Sequence, residues 1–236
     1  MTSSPHGEVI RQVAKLIGTT LQSGTPDVDS VLGELTEAAV AAVPAARHAG
    51  ITVASRGGKV RTATATGRYP ALLDEIQQRH KQGPCLSAAR EQHMIRVDDL
   101  SGEQRWPRYC REVTQASPIR SIMAFQLFAD QRTMGALNFY ADQPHAFDGS
   151  AVELGLMMAT HIALAWNLVR RDEQFRSALA SRDLIGQAKG MIMERFAIDA
   201  SAAFELLKRL SQTSNKPLAV IARQLVEPDR SADDAG

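Results

Sequence analysis

Two basic residues and a glycine near the carboxyl end have the types and spacing that suit binding of a polyanion. Lys189, Gly190 and Arg195 lie in residues 182–196, where apolar residues recur at the spacing of a helix. A glycine inside a helix costs about 1 kcal/mol relative to alanine, so Gly190 indicates that another molecule approaches the backbone closely. The side chains of Lys189 and Arg195 can contact phosphate groups on such a molecule.

The charge of the chain is uneven. Residues 178–226 hold seven Lys or Arg and four Asp or Glu, a net charge of +3, whereas the whole chain of 236 residues carries +1. The rest of the chain therefore carries −2. A basic bias on a short segment favours a phosphate-bearing partner. An ordinary solvated helix surface gives the same bias, so charge alone does not decide between the two.

Sequence patterns of known catalytic sites are missing from the chain. It has no G-x-S-x-G, H-E-x-x-H or G-x-x-x-x-G-K-[ST] motif, and its six histidines include no pair four residues apart. We therefore expect neither a catalytic site nor a metal site, and a protein that is not an enzyme. Cys85 follows Gly83-Pro84 near a predicted helix start, where a redox-active thiol is one interpretation. A small buried hydrophobic residue is the interpretation that we prefer. Cys85 and Cys110 are too few for a disulfide framework.

The first two thirds of the chain predict an α+β domain. Helical patterns run over residues 9–21 and 31–43. Strand patterns and short helices follow, with a Gly57-Gly58 hairpin signal, at residues 51–54, 60–66, 69–81, 86–89, 93–97 and 106–116. The clearest strands are residues 121–129 and 133–141, joined by a turn at Asp130-Gln-Arg132. Alternation places Leu137 and Phe139 on one face of the second strand, and Asn138 and Tyr140 on the other.

The order of these elements and three short motifs resemble the GAF domain. The motifs are Gly83-Pro-Cys-Leu-Ser-Ala-Ala89, Gly135-Ala-Leu-Asn-Phe-Tyr140 and Ala146-Phe-Asp148. The resemblance implies a central antiparallel sheet flanked by helices over residues 8–170. It also implies that a small ligand can lie between the sheet and its covering helices. The motifs with which some GAF domains bind cyclic nucleotides or attach a bilin are absent, so the ligand is unknown.

A long helix follows, because Gly149 to Phe196 contains no proline and no other strong helix breaker. This helix has two apolar stripes. The first runs through Leu154, Met158, His161, Ala165, Leu168, Asp172, Phe175 and Leu179, and the second through Val152, Gly155, Ala159, Ile162, Trp166 and Val169. One stripe can cover the sheet, and the other needs a further partner, for which a second copy of the same helix is the simplest choice. The residues predicted for this dimer contact are Leu154, Met158, Ala165, Leu168, Phe175 and Leu179, within a connecting segment 150–182. The alternative is that both stripes are buried in a single domain.

The last segment, residues 178–228, predicts a bundle of three short helices. Asp199 is a natural N-cap for a helix over 200–213, and Asn215 or Lys216 can cap a third helix with Pro217 at its first position. The side chains expected inside this bundle are Ile185, Ala188, Ile192, Phe196, Phe204, Leu207, Leu210, Ile221 and Leu225.

Residues 178–226 resemble the ANTAR domain, a small helical RNA-binding module of bacterial transcription antitermination regulators. The resemblance lies in residues 182–196 and in the run from Phe204 through Pro217-Leu218 to Leu225. It implies RNA contact at Lys189, Gly190, Arg195, Lys208, Arg209, Ser211, Asn215 and Lys216. The family usually favours arginine near position 208, so Lys208 departs from its pattern.

Together the two resemblances imply a homodimeric regulator that binds hairpins of a leader RNA, so that a terminator cannot form. The GAF-like domain would sense a ligand, a redox event or a partner. Two alternatives stay open: a DNA-binding helix-turn-helix regulator, or a module that binds another protein and uses its tail as a dimer clamp. The chain shows no secretory signal and no apolar run that predicts a membrane span, so we expect a cytoplasmic protein.

Overall fold

The computed structural model describes residues 28–55, 58–90, 94–129 and 133–227, which fall into two compact units, residues 1–169 and 170–236. The elements in chain order are α1 (Val28–Ala42), β1 (His48–Ser55), β2 (Val60–Ala65), α2 (Tyr69–His80), α3 (Pro84–Arg90), β3 (Met94–Val97), α4 (Pro107–Ala116), β4 (Ser121–Ala129), β5 (Thr133–Ala141), α5 (Gly149–Phe196), α6 (Ala200–Ser214) and α7 (Leu218–Val226). The helix predicted at 9–21 and the turn at 130–132 lie outside the described residues.

The five strands form one antiparallel sheet of order β2-β1-β5-β4-β3. Strands β4 and β5 have the predicted bounds, and they pair with Ser121 opposite Ala141. Leu137 and Phe139 lie in the core on one face of the sheet, and Tyr140 lies in the core on the other. The alternation of apolar residues therefore identified the two faces, and the predicted α+β fold class is confirmed.

Helix α1 and the first half of α5 cover one face of this sheet. Their apolar side chains pack on Met123, Phe125 and Phe139. Gly155 lets α5 approach closely, because a Cβ atom at this position would lie 2.6 Å from the ring of Phe125. Full burial of each large apolar side chain here contributes about 1.5–3 kcal/mol.

Both predicted stripes of α5 pack within the sheet unit over the first half of the helix. Leu154, Met158 and Ala165 are at most 9% exposed and belong to the core on this face. Ile162 and Trp166, from the second stripe, are buried in the same core. The dimer contact predicted for Leu154, Met158 and Ala165 has to be corrected, because the sheet and α1 cover a wider arc of the helix than one stripe.

A different row of apolar side chains on α5 is exposed. It consists of Leu156, Leu164, Leu168, Phe175 and Leu179, which are between 44% and 64% exposed. At about 100° per residue, Leu164, Leu168, Phe175 and Leu179 fall within about 60° of one another around the helix, and Leu156 stands about 80° from Leu164. We call them the exposed row. It contains the other three residues predicted for the dimer contact.

The segment Gly149–Leu168 is long and apolar enough to cross a membrane by length and composition, and it is the single such segment in the part of the chain that the structure describes. Close to half of it, 44%, is buried inside the protein. Burial against the sheet accounts for part of its apolar character, and Leu156, Leu164 and Leu168 of the exposed row account for another part.

Helices α2, α3 and α4 cover the opposite face of the sheet. Leu73 and Ile76 of α2 and Tyr109 of α4 pack against Ile122 and Tyr140. Proline stands in the first turn of each of these helices, where its missing N–H leaves no hydrogen bond unmade. Helix α3 begins at Pro84, two residues before the element predicted at residues 86–89.

The carboxyl-terminal unit contains the end of α5 followed by α6 and α7. The carboxylate of Asp199 accepts a hydrogen bond of 2.8 Å from the N–H of Ala202, so the predicted cap of α6 is confirmed. The predicted cap of α7 is wrong. Pro217 is its N-cap, and Asn215 instead ends α6 with a left-handed backbone, φ 51°.

Small residues form much of the core of this unit. Ala188, Ala203 and Ala222 are fully buried together with Leu207, and Ile192 and Ile221 are nearly so. Three side chains predicted inside are instead on the surface: Phe196 is 58% exposed, Phe204 40% and Leu210 43%. On α6 the inward face therefore follows Ala203 and Leu207, which are four residues apart, and not Phe204 and Leu210.

Candidate nucleic-acid interface

Three of the predicted RNA-contact residues lie along one side of α6. Lys208, Ser211 and Asn215 are spaced by three or four residues, so they follow one another on the same side of the helix. Lys208 approaches Glu205 at 3.4 Å, with both side chains about half exposed. Exposed pairs of this kind contribute little to stability, so the ammonium group of Lys208 remains available to a phosphate.

The turn between α6 and α7 is held by hydrogen bonds of Ser211 and Lys216. The hydroxyl of Ser211 donates to the carbonyl oxygen of Lys216 at 2.5 Å, and the N–H of Lys216 donates to the carbonyl oxygen of Ser211 at 3.1 Å. The serine therefore has a structural role in this turn, since its proton is already engaged. Its oxygen can still accept a hydrogen bond.

Asn215 combines a backbone requirement with a free side chain. Its φ of 51° is one that asparagine and glycine tolerate better than other residues. Its backbone N–H donates to the carbonyl oxygen of Gln212 at 3.3 Å. Within the described residues its side-chain amide makes no hydrogen bond, so both its donor and its acceptor are available to water or to another molecule.

The other cations predicted to contact RNA lie on α5, on α6 and in the turn after α6. Arg195, Arg209 and Lys216 are exposed and Lys189 is half-buried. None of these four forms an ion pair with a described residue. Unpaired cations on a small unit leave a positive surface, which is the electrostatic requirement for a polyanion.

Gly190 lies on the outer surface of α5. A Cβ atom built there would meet no other atom within 4 Å, and the same holds for Gly186 one turn earlier. Packing within the chain therefore does not require either glycine. The observation agrees with close approach of an outside molecule to the helix backbone, which stays a prediction.

Sequence reasoning missed the exposed aromatic residues of this unit. Phe204 precedes Lys208 by four residues, and so it lies on the same side of α6 as the three polar residues. The signal was ambiguous in the sequence, because both Ala203 and Phe204 stand at helical spacing from Leu207. Aromatic size favoured Phe204 for the core, whereas the close packing of the unit selects alanine.

The sheet unit contains a buried polar cluster between the sheet and its covering helices. The carboxylate of Asp74 accepts hydrogen bonds from the hydroxyls of Thr52 at 2.8 Å and Thr62 at 2.7 Å, and from the amide of Gln77 at 3.0 Å. The amide of Asn138 donates to the oxygen of Thr52 at 2.8 Å. Burial raises the pKa of Asp74 to about 6, although these hydrogen bonds lower it in part.

Cys85 belongs to the same cluster. Its Sγ donates to the side-chain oxygen of Asn138 at 2.9 Å, and burial raises the pKa of its thiol to about 12. Because a reactive cysteine needs an accessible thiolate, this geometry favours the structural interpretation of Cys85. The hydroxyls of Tyr109 and Tyr140 are buried nearby, and neither forms a hydrogen bond with a residue that the structure describes.

A groove of about 680 Å³ lies beside this cluster, between β2 and α2. It is lined by Val60, Thr62, Ala71, Asp74, Glu75, Gln78 and Arg79. No group of three His, Cys, Asp or Glu side chains in the described part of the chain is placed to hold a metal ion.

A five-stranded antiparallel sheet with a long helix and α1 on one face and short helices on the other defines a GAF-type domain. The GAF domain model matches residues 25–167, more than half of the chain, so the protein belongs to the GAF domain family. The ANTAR domain model matches residues 173–226. The chain is therefore a GAF and ANTAR domain-containing regulator, in which a signal-sensing domain precedes an RNA-binding antitermination module.

Solved structures show the same fold for the first domain at low sequence identity. A GAF domain from the phosphoenolpyruvate-protein phosphotransferase of Coxiella burnetii is 13% identical, with a TM-score of 0.54 over 73% of this chain and 99% of that one. The phycoerythrobilin-bound GAF domain of a cyanobacterial phytochrome is 14% identical, with a TM-score of 0.54 over 73% and 100%. Free methionine-R-sulfoxide reductase from Neisseria meningitidis, in complex with its substrate, is 16% identical, with a TM-score of 0.52 over 73% and 96%. These likenesses concern the fold alone. No curated protein sequence matches the chain significantly.

Proposed function

We propose that this protein is a cytoplasmic transcription antitermination regulator that acts as a homodimer on hairpins in a leader RNA. In this proposal the ANTAR domain binds the hairpin loops, and the bound pair of hairpins prevents a terminator from forming. The GAF domain receives a signal that controls this binding.

The observation that carries the proposal is the surface at the α6–α7 turn of the ANTAR domain. Lys208, Ser211 and Asn215 share one side of α6, Lys216 follows in the turn, and the amide of Asn215 has no partner among the described residues. Lysine and arginine suit the phosphates of RNA, and amides and hydroxyls suit the edges of unpaired bases.

The exposed row on α5 supports the homodimer. Leu164, Leu168, Phe175 and Leu179 stand at spacings of three to four residues or their sums, which suits packing against a second copy of the same helix. Several exposed leucine and phenylalanine residues on one side of a helix indicate a partner surface more strongly than isolated apolar residues do. We place the dimer contact here in place of Leu154, Met158 and Ala165.

The signal acts on the GAF domain through the helix that leaves it. Helix α5 forms part of the sheet unit's core and continues without a break into the ANTAR domain. A ligand or partner that binds two poses of this helix with different affinity shifts the population between them. Such a shift would alter how the two ANTAR domains of a dimer present themselves to RNA.

Crosslinking of the protein to RNA in its own cells tests the proposal. Recovered fragments should share tandem short hairpins ahead of a terminator, and the double variant Lys208→Ala/Arg209→Ala should lose them. Arg108→Ala/Arg111→Ala removes the same charge from the exposed surface of α4 and is the matched control. Recovery of duplex DNA in preference to RNA would favour the helix-turn-helix alternative. Recovery of neither nucleic acid would favour a module that binds protein.

A further inference from the structure

The geometry points to Phe204 as a stacking platform for an unpaired RNA base. This inference rests on the proposed RNA binding and goes beyond it, because it assigns a specific contact to a residue that the sequence pattern placed in the core. The occupant is a single base of a looped or single-stranded RNA segment. This base stacks on the phenyl ring, and neighbouring cations bind the adjacent phosphates.

The first observation is the choice of side chain that the ANTAR domain buries on α6. Ala203 is fully buried, while the much larger Phe204 beside it is 40% exposed. Burying a phenylalanine in place of leaving it exposed contributes about 1.5–3 kcal/mol. A folded unit that buries alanine and leaves phenylalanine on its surface forgoes part of that stabilisation, so the ring is available to a partner.

The second observation concerns the residues near the Phe204 ring. Lys208 follows Phe204 by one helical turn, and Asn215 ends α6 about 16 Å further along the axis. The only acidic residue on α6, Glu205, is the next residue in the sequence, and so it points about 100° away from Phe204 around the helix. An apolar ring next to a cation suits a base, which has an aromatic face and an attached phosphate.

The same surroundings argue against a protein helix as the occupant. An apolar docking face would need further large apolar residues along this side of α6. Leu210 is exposed by 43%, but it lies about 120° away from Phe204 around the helix. One turn along from Phe204 on the same side of α6, the exposed residue is Lys208.

Three variants of the full-length protein test the assignment. Phe204→Leu keeps an apolar side chain of similar packing role but removes the aromatic face. Phe204→Tyr keeps the ring. Leu210→Ala removes an equally exposed apolar side chain from another side of α6. The probe is a pool of RNA hairpins with randomised loops, and the measurement is the apparent Kd for this pool. Circular dichroism during thermal unfolding verifies that each variant is folded.

We expect Phe204→Leu to weaken binding by about 5- to 100-fold, the range that loss of one base–aromatic stack produces. Phe204→Tyr and Leu210→Ala should bind within a factor of about 2 of the unmodified protein. Irradiation at 254 nm should attach RNA to the tryptic peptide that contains Phe204 in the unmodified protein, and not in the Phe204→Leu variant.

The outcomes separate this inference from the proposed function. Binding of the pool by Phe204→Leu as tightly as by the unmodified protein overturns the stacking role, while loss of binding in Lys208→Ala/Arg209→Ala would still support RNA recognition. Equal loss of binding in the leucine and tyrosine variants also overturns it, since the ring would then matter only for packing. No binding of any hairpin by the unmodified protein defeats the proposed function itself, and the inference with it.

Discussion

At the scale of single residues, Asp74 shows how burial and hydrogen bonding compete for one proton. Its carboxylate accepts hydrogen bonds from Thr52, Thr62 and Gln77, yet burial outweighs them and raises its pKa to about 6. The folded protein therefore binds this proton more tightly than the unfolded chain does. By linkage, the stabilisation is fully present below about pH 4 and is lost as the pH rises through about 6.

The variant Asp74→Asn removes this titration and tests it. Between about pH 4 and pH 6.5, the free energy of unfolding of the unmodified protein should fall relative to that of the variant by on the order of 3 kcal/mol. Urea unfolding at several pH values, followed by tryptophan fluorescence, measures the difference. Parallel pH profiles of the two proteins would show that Asp74 does not carry a raised pKa.

Asn215 allows the backbone role and the contact role of one residue to be separated. At a φ of 51°, Asn215→Gly should keep the turn, whereas Asn215→Ala should destabilise the end of α6 by about 1 kcal/mol. Both variants remove the amide. If the amide contacts RNA, both should therefore lose affinity for hairpin RNA, although only the alanine variant loses stability.

Hydrogen exchange at the α6–α7 turn and RNA titration measure these two properties independently. Full RNA affinity in the stable glycine variant would mean that Asn215 is present for its backbone alone. The alanine variant cannot decide this point, because its loss of affinity could follow from the altered turn.

At the scale of elements, the sequence predicted most helices and strands because their patterns are local. Strands β4 and β5 and the 48-residue helix α5 appear with the bounds that alternation and the lack of breakers indicated. The face that an element buries is a different question, since it depends on what packs against it. The sequence pattern placed Leu154 and Met158 of α5 at a dimer contact and Phe204 of α6 in the core. In the structure Leu154 and Met158 are buried in the core, and Phe204 is exposed.

Two substitutions on α5 compare the stability contributed by a buried side chain with that contributed by an exposed one. Met158 is fully buried, whereas Leu164 is 57% exposed. Met158→Ala should lower the free energy of unfolding of the GAF domain by about 2–5 kcal/mol, and Leu164→Ala should change it by no more than about 0.5 kcal/mol. Denaturant unfolding reported by Trp106 and Trp166, both in this domain, gives the two values. Similar losses in both variants would contradict the burial described for α5.

At the scale of the whole molecule, the sequence indicates two domains and a helix common to both, and it cannot give the partner of the exposed row. Local patterns record that a side chain is apolar, and they do not record whether the sheet or another chain covers it. For this reason the homodimer is a proposal, whereas the two domains are findings. The exposed row makes the proposal specific enough to test by breaking the contact and measuring RNA binding in the same protein.

The variant Leu164→Glu/Leu168→Glu places two charges in the exposed row and should convert the dimer into a monomer, because burying unpaired carboxylates in an apolar contact is costly. A dimer can hold two hairpins at once, so its second contact forms at a high effective concentration and strengthens binding by on the order of 100-fold or more. We therefore expect the variant to bind a tandem-hairpin RNA about 100-fold more weakly than the unmodified protein, while its affinity for a single hairpin stays unchanged. Analytical ultracentrifugation and RNA titrations provide both measurements.

The control variant Gln104→Glu/Gln115→Glu adds the same charge to exposed positions of the GAF domain and should leave both the oligomeric state and the RNA affinity unchanged. A variant that sediments as a dimer would move the contact elsewhere, and a monomeric variant that still binds the tandem RNA tightly would show that one ANTAR domain is sufficient.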